Sequence, residues 1–266
     1  MAAEAPGESI WLRPERAAVG RPAQHTRAEI TVVALRIADA EGLDAVSMRR
    51  VAAELGTGAA SLYRYVETRE ELLDLMTDAT AAEYQLSAPA GDWLAGLVAV
   101  GEQARAVLRR HRWLAALTLT RPVIGPNSLT VIEHVLEILA GHPAPLEAKM
   151  EAFAMLNGLT ATWALHEQAG GPALQARNIG YLMHAAASGG HPRLAELFAQ
   201  AQPPAQQLPP DQPLPDQPPP PDQPRSAGPV RSTGQPPLVE QAAADLADRY
   251  PDLLSRVLLG LLGGHQ

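Results

Sequence analysis

Apolar side chains recur at Ile30, Val33, Ala34, Ile37 and Ala38, the i, i+3, i+4, i+7, i+8 spacing that lays one continuous face along a helix. This predicts a helix over residues 27–41, stopped by Gly42, where a residue without Cβ easily takes a left-handed backbone. Ser47 predicts the N-cap of a short second helix that buries Val51, Ala52 and Leu55 and ends at Gly56. A third helix begins near Gly58–Ala59 and buries Leu62 and Val66. No proline stands between Arg27 and Leu86, so that stretch is expected to be helical, broken only at glycines. The helical period resumes from Trp93 to about Gln200, with breaks expected near Arg121–Pro126, Gly141–Pro145 and Gly170–Pro172. It returns once more over 238–262. No segment alternates with a period of two, so the fold class is expected to be all-α.

Two segments lack any such period. Residues 1–26 carry Pro6, Gly7, Pro14, Gly20 and Pro22 and read as a flexible arm. Residues 203–237 hold 14 of the 25 prolines, with Asp-Gln-Pro repeated at 211, 216 and 222, and read as extended and polyproline-like. A surface insertion between two helices explains that run, because lengthening a flexible loop costs little. A PxxP ligand for a partner domain is the alternative.

Composition narrows the function classes. With 266 residues and 46% hydrophobic side chains, the chain can bury a core, built from aliphatic groups because aromatics are only 4%. There is no cysteine, which excludes disulfides, thiolate metal sites and a cysteine nucleophile. The start, MAAEAPGES, is acidic and is not expected to be a signal peptide, and no apolar run is long enough for a membrane span. A cytoplasmic protein is expected. Net charge is −8, against indiscriminate coating of nucleic acid, although residues 9–69 hold 9 arginines against 7 acids. Lys149 is the single lysine.

Ala52, Gly56 and Leu62 place a small residue where two helices cross, a glycine in the turn, and a hydrophobe returning onto the first helix. A helix-turn-helix requires this arrangement, and other short helical hairpins show part of it. With Leu62 and Val66 inward, Ala59, Ala60, Ser61, Tyr63, Arg64 and Tyr65 are available to a partner, unless one tyrosine packs beneath the next helix. Small residues permit close approach to base edges, Ser61 and Tyr63 can donate to phosphate, and Arg64 reaches guanine or phosphate.

The segment GLDAVSMRRVAAELGTGAASLYRYVETREELLDLM resembles the DNA-binding domain of tetracycline-repressor (TetR) family regulators, through VAAELG, the Leu-Tyr of SLYRYV, and TREELL. The resemblance implies that Met48 and Arg49, with Gly58, Ala59, Ala60, Ser61, Tyr63, Arg64 and Tyr65, contact double-stranded DNA. Arg69, where the family usually has lysine, would grip phosphate. Arg13, Arg16 and Arg21 of the arm either enter the adjacent minor groove or belong to a solubilising tail. The implied domains are the arm 1–26, a helix-turn-helix domain 27–72, and a ligand-binding and dimerisation domain 73–266 containing the 203–237 insertion.

The likeness continues, more weakly, into the effector domain of the tetracycline-repressor class, at Trp93, Arg109–Arg112, Thr120-Arg121-Pro122, Leu165 and Gln168. Where that class holds drug and magnesium, this chain has Val100, Gln85, Thr118 and His166, so no metal or other cofactor is expected and tetracycline is disfavoured. Val100, Ala104, Trp113, Phe153 and Met155, with Thr118, His134, Asn157 and His166, instead suggest a pocket for a small apolar or aromatic effector. Residues 147–168, with Met150, Phe153, Ala154, Asn157, Ala161 and Ala164 in a stripe, and 238–262, with Leu246, Leu253, Val257 and Leu261, are expected to pair two copies as a homodimer.

The expected function is a repressor released from a palindromic operator by its effector. A partner-binding adaptor using the proline-rich loop is the alternative. An enzyme finds no support: HExxH, a phosphate-cradling glycine loop and a nucleophile elbow are all missing.

Overall fold

The computed structural model describes residues 9–14, 25–88, 91–169, 172–201 and 249–265. Expectations for Arg16, Arg21, Leu246 and the 203–237 insertion lie outside these residues. Among the described residues every regular element is a helix.

Local chemistry sets the first four helices. α1 spans Arg27–Glu41 and opens with a capping box: Thr26 Oγ1 accepts from the Glu29 N–H while the Glu29 carboxylate accepts from the Thr26 N–H. Gly42 ends it at φ +88°. α2 (Met48–Glu54) is capped by Ser47, which accepts from the Arg50 N–H at 3.2 Å, and Gly56 closes the following turn at φ +66°. α3 is short, Ala59–Leu62, and α4 runs Arg69–Ala81 from the Thr68 cap. The break between α3 and α4 contains no glycine, contrary to expectation. Tyr65 and Val66 turn inward there and are buried, and the Thr68 side chain restarts the helix by accepting from the Glu71 N–H. The expected boundary at 72/73 falls inside α4, whose Leu72, Leu73, Leu75 and Met76 are buried in one continuous core.

The remaining helices are α5 (Trp93–Arg110), α6 (Leu114–Thr120), α7 (Pro126–Ile138), α8 (Leu146–Ala169), α9 (Pro172–Ala187), α10 (Pro192–Ala201) and α11 (Tyr250–Leu262). α9 and α10 pack on each other in a compact unit of their own. In the other unit α5, α8 and α11 enclose a second core, in which Leu97, Leu156, Tyr250, Leu254, Leu258 and Leu262 are buried. This uses much of what the sequence assigns to dimerisation. Ala161 and Ala164 are buried within the chain, and Met150, Phe153, Ala154 and Asn157 line an internal cavity.

Residues Ser9–Pro14 correct the reading of the arm. Leu12 N–H closes a turn onto the Ser9 carbonyl at 2.9 Å, and Ile10 is buried in the N-terminal core. Arg27 Nη1 donates to the carbonyls of Ile10 (3.0 Å) and Arg13 (2.9 Å), while its Nε donates to the Tyr65 carbonyl. Arg13 pairs with Glu67 at 2.5 Å and Glu71 at 2.6 Å, so its guanidinium is committed here rather than free for a minor groove. Without a helical period, nothing in the sequence pattern marks this as a folded strap.

A buried carboxylate joins α4 to α7. Asp78 accepts from the Asn127 N–H (3.2 Å) and Nδ2 (3.1 Å) and from the Ser128 N–H (2.9 Å) and Oγ (2.8 Å). It thereby satisfies N-terminal amides of α7, which begins at Pro126 after Gly125. One turn earlier Arg121 donates to Asp74 from Nε (3.0 Å) and Nη2 (2.8 Å). A Cβ on Gly125 would lie 2.5 Å from Asp78 Cγ and 2.7 Å from Trp11 Cζ2. Gly125→Ala is therefore expected to destabilise the chain by about 1–3 kcal/mol, read as a lowered denaturation midpoint, because carboxylate and indole must both shift. An unchanged midpoint would show that this junction yields without cost.

Candidate functional site

Two surfaces carry chemistry, one on α2 and α3 and one inside the second half. On the first, Arg36 pairs with Glu54, and Arg50 with Glu41 and Glu54. Arg49 and Arg64 are left as exposed cations without an ion pair among the described residues of α1–α3. Arg64 Nη2, just beyond the third helix, donates to Ser61 Oγ within it at 3.1 Å. Gly58, Ala60 and Tyr63 are exposed beside them, and Ala59 and Ser61 half-exposed.

Three of the residues expected to meet DNA sit elsewhere. Met48 and Tyr65 are buried in the N-terminal core, where packing against neighbouring helices removes them from the surface. Arg69 points back into the fold, its Nε donating to the Val46 carbonyl and its Nη2 to that of Leu43, each at 3.1 Å. It ties the start of α4 to the backbone that precedes α2.

The second site is a cavity of about 510 Å³ bounded by α4, α5, α6, α7, α8 and the 121–124 turn. Four of the expected effector residues, Ala104, Thr118, Phe153 and Asn157, line it. The other five do not. Val100 is buried in the core under α11, and Trp113 is buried with its Nε1 donating to Asp39 at 2.7 Å. His134 lines a separate groove with Leu86 and Leu129, and exposed His166 contacts the Thr162 carbonyl through Nδ1. Met155 is exposed as well. Helical spacing places each of these on a helix without saying which neighbour its face meets. Trp113 belongs to a domain tie instead: Asp39 of α1 also meets His111 Nδ1, whose Nε2 meets Glu83, both at 2.8 Å.

The sequence reading missed the α4 wall of the cavity, Thr77, Thr80 and Ala81, and Tyr84 just beyond it. The Thr120-Arg121-Pro122 match was the available signal for the turn that closes it. Most lining hydroxyls already donate within the chain: Thr80 to Thr77 O, Thr118 to Leu114 O, Ser128 to Asp78 and Thr160 to Leu156 O. Thr160 also meets the Tyr250 hydroxyl at 2.6 Å, and burial pushes that phenol up to about 12. Thr77 Oγ1 is buried with no partner, whereas the Tyr84 hydroxyl is neither bonded nor sealed.

Comparisons agree with this division. Residues 30–76 match the model for bacterial regulatory proteins of the tetR family, and residues 87–207 match the tetracyclin repressor-like C-terminal domain. The HTH-type transcriptional repressor DrrR1 of Streptomyces coeruleorubidus is 43% identical over 134 residues, 50% of each chain. An HTH-type transcriptional regulator of Saccharopolyspora erythraea is 39% identical over 137 residues, 51% of this chain and 57% of that one. The matched stretch thus spans about half the length of these curated relatives. Apo ActR from Streptomyces coelicolor superposes with a TM-score of 0.68 at 27% identity, covering 92% of this chain and 98% of its own. ActR in complex with actinorhodin gives 0.66 at 28% identity, covering 91% and 97%.

The orphaned Thr77 hydroxyl has a measurable consequence. Thr77→Val keeps the branched shape and deletes an unpaired buried polar atom, so the ligand-free chain is expected to gain up to about 1 kcal/mol in denaturant unfolding. A loss of that size would mean that the hydroxyl has a partner in solution.

Proposed function

Because the chain belongs to the tetracycline-repressor (TetR) family of bacterial transcriptional regulators, whose members regulate transcription rather than catalyse a reaction, we propose that it is a repressor released from a palindromic operator by a small effector. One observation carries this reading: α4 forms a wall of the cavity and, through Arg69, also holds the backbone that precedes α2. An occupant that shifts α4 shifts the DNA-facing helices with it. Arg49, Tyr63 and Arg64, exposed on α2 and just beyond α3, are the side chains offered to phosphate and base edges. Gly58, Ala59, Ala60 and Ser61 permit close approach.

A single helix-turn-helix reads few base pairs, so the active species is a homodimer whose recognition helices stand about 34 Å apart, one turn of DNA. α8 and α11 each keep a large exposed apolar residue, Met155 and Leu259, which supports them as the pairing helices. The effector is a small, largely apolar or aromatic molecule. The cavity's volume and lining support this, and the complexes of the similar ActR with actinorhodin and with (S)-DNPA support response to a ligand. By linkage, effector and operator weaken each other's binding by the same factor. No helix among the described residues is long and apolar enough to cross a membrane.

Selection of duplexes from a random DNA pool tests the reading. Enrichment of a palindrome is expected, with Arg49→Ala and Tyr63→Phe each weakening binding several-fold and Arg49→Ala lowering the salt slope by about 1. No enrichment at low salt by a folded, dimeric protein would overturn the repressor assignment.

A further inference from the structure

We infer that the Tyr84 hydroxyl selects the effector, and that the effector is an uncharged, largely apolar molecule presenting an acceptor oxygen, such as a carbonyl, to it. The inference rests on the reading of the cavity as the effector site and adds the chemical class that the site takes. Among the polar groups of the lining, the Asn157 amide gives one of its two hydrogens to the Phe153 carbonyl, and the hydroxyls differ in what they have left to give. Thr80, Thr118, Ser128 and Thr160 each donate to an acceptor of their own chain. Thr77 Oγ1 is sealed from solvent and so from any occupant. Tyr84 remains as the lining hydroxyl with a hydrogen to give, and no described residue accepts it.

Its surroundings keep it a donor. Burial, reinforced by neighbouring Tyr250, raises the phenol well above its ordinary pKa, so the O–H persists across the neutral range. A donor in a cavity walled by Leu108, Leu114, Val131, Ile132, Met150 and Phe153 requires an acceptor on an otherwise apolar body. Charge is disfavoured. Arg121 is the one charged side chain of the lining, and its guanidinium is paired with Asp74, so a buried ionic group on the ligand would lack a counter-charge. Tyr84 follows the last turn of α4, its N–H reaching the Ala81 carbonyl at 3.4 Å. A ligand bond to its hydroxyl is therefore made beside the helix that connects the two sites.

Calorimetric titration of the full chain with two bicyclic probes tests the assignment. The probes are 2-methyl-1,4-naphthoquinone, which has carbonyl oxygens, and 2-methylnaphthalene, which lacks them. With no cysteine in the chain, the quinone meets no thiol. Tyr84→Phe keeps the ring and is expected to weaken quinone binding at least about fivefold while changing the hydrocarbon less than about twofold, as loss of one hydrogen bond predicts. Equal effects of Tyr84→Phe on both probes, or none on the quinone, would overturn the Tyr84 assignment while leaving the cavity reading standing. Binding of neither probe to the wild-type chain, up to its solubility, would overturn both.

Discussion

A carboxylate buried at the first turn of a helix is costly unless its oxygens are filled, and Asp78 is filled four times over by Asn127 and Ser128. Its position is therefore not negotiable. The negative charge meets the positive end of the α7 dipole, and two backbone amides that the helix cannot satisfy itself are satisfied by α4. Gly125 has no side chain because Asp78 and Trp11 already occupy the space a Cβ would need. The α4–α7 crossing is thus fixed by hydrogen-bond geometry rather than by apolar contact, which tolerates sliding. Arg121 on Asp74 repeats the connection one turn away and holds the turn that borders the cavity.

Fixing α4 at one end makes the rest of it a lever. Its first residue, Arg69, grips two carbonyls before α2, and Glu71 of its first turn takes Arg13 from the strap and the N–H of Glu67. α1 is tied separately, through Asp39 to Trp113 and His111. The first four helices are thus joined to the second half by a shared apolar core, in which Leu75, Met76, Val107, Leu114 and Ala115 are buried together, and by directional polar contacts at several points. The polar contacts have preferred arrangements and break over short displacements, which suits the proposed exchange between two conformers.

How much of this could be read from the chain depends on how local the cause is. Gly42, Ser47, Gly56 and the spacing of Ile30, Ala34 and Ile37 act within one or two turns, and the first helices follow them. The strap at 9–14 was illegible because its partners Arg27, Glu67 and Glu71 are brought to it by the fold, and Arg13 in sequence looks like any arginine in a proline-containing tail. The cavity was half legible. Ala104, Thr118, Phe153 and Asn157 line it, but Val100, one turn before Ala104 on α5, is buried in the second core, to which α11 contributes residues from Tyr250 onward, 150 positions later in the chain. Trp113 illustrates a different failure. An indole beside an apolar stripe suggests ligand packing, yet its N–H had a carboxylate waiting on α1. Amphipathic spacing records how much of a helix is buried, and partner choice is a property of the assembled chain.

The division between apolar wall and free hydroxyl also bears on how a switch of this kind works. Moving a two-state population from 1:99 to 99:1 requires about 10⁴-fold preferential binding to one state, about 5.5 kcal/mol. One neutral hydrogen bond contributes about 1 kcal/mol, far short of that. The preference must come chiefly from apolar contacts that differ between conformers, which in this chain means the α4, α6 and α7 walls that Asp78 and Arg121 hold in register. A polar anchor then decides which apolar molecule is admitted, since a bound ligand without a matching acceptor leaves the Tyr84 hydroxyl desolvated and unpaired. Shape supplies the force and the hydroxyl supplies the choice. The two roles fall on different residues, so the identity of the effector can drift through positions such as Tyr84 while the junction at Asp78 stays as it is.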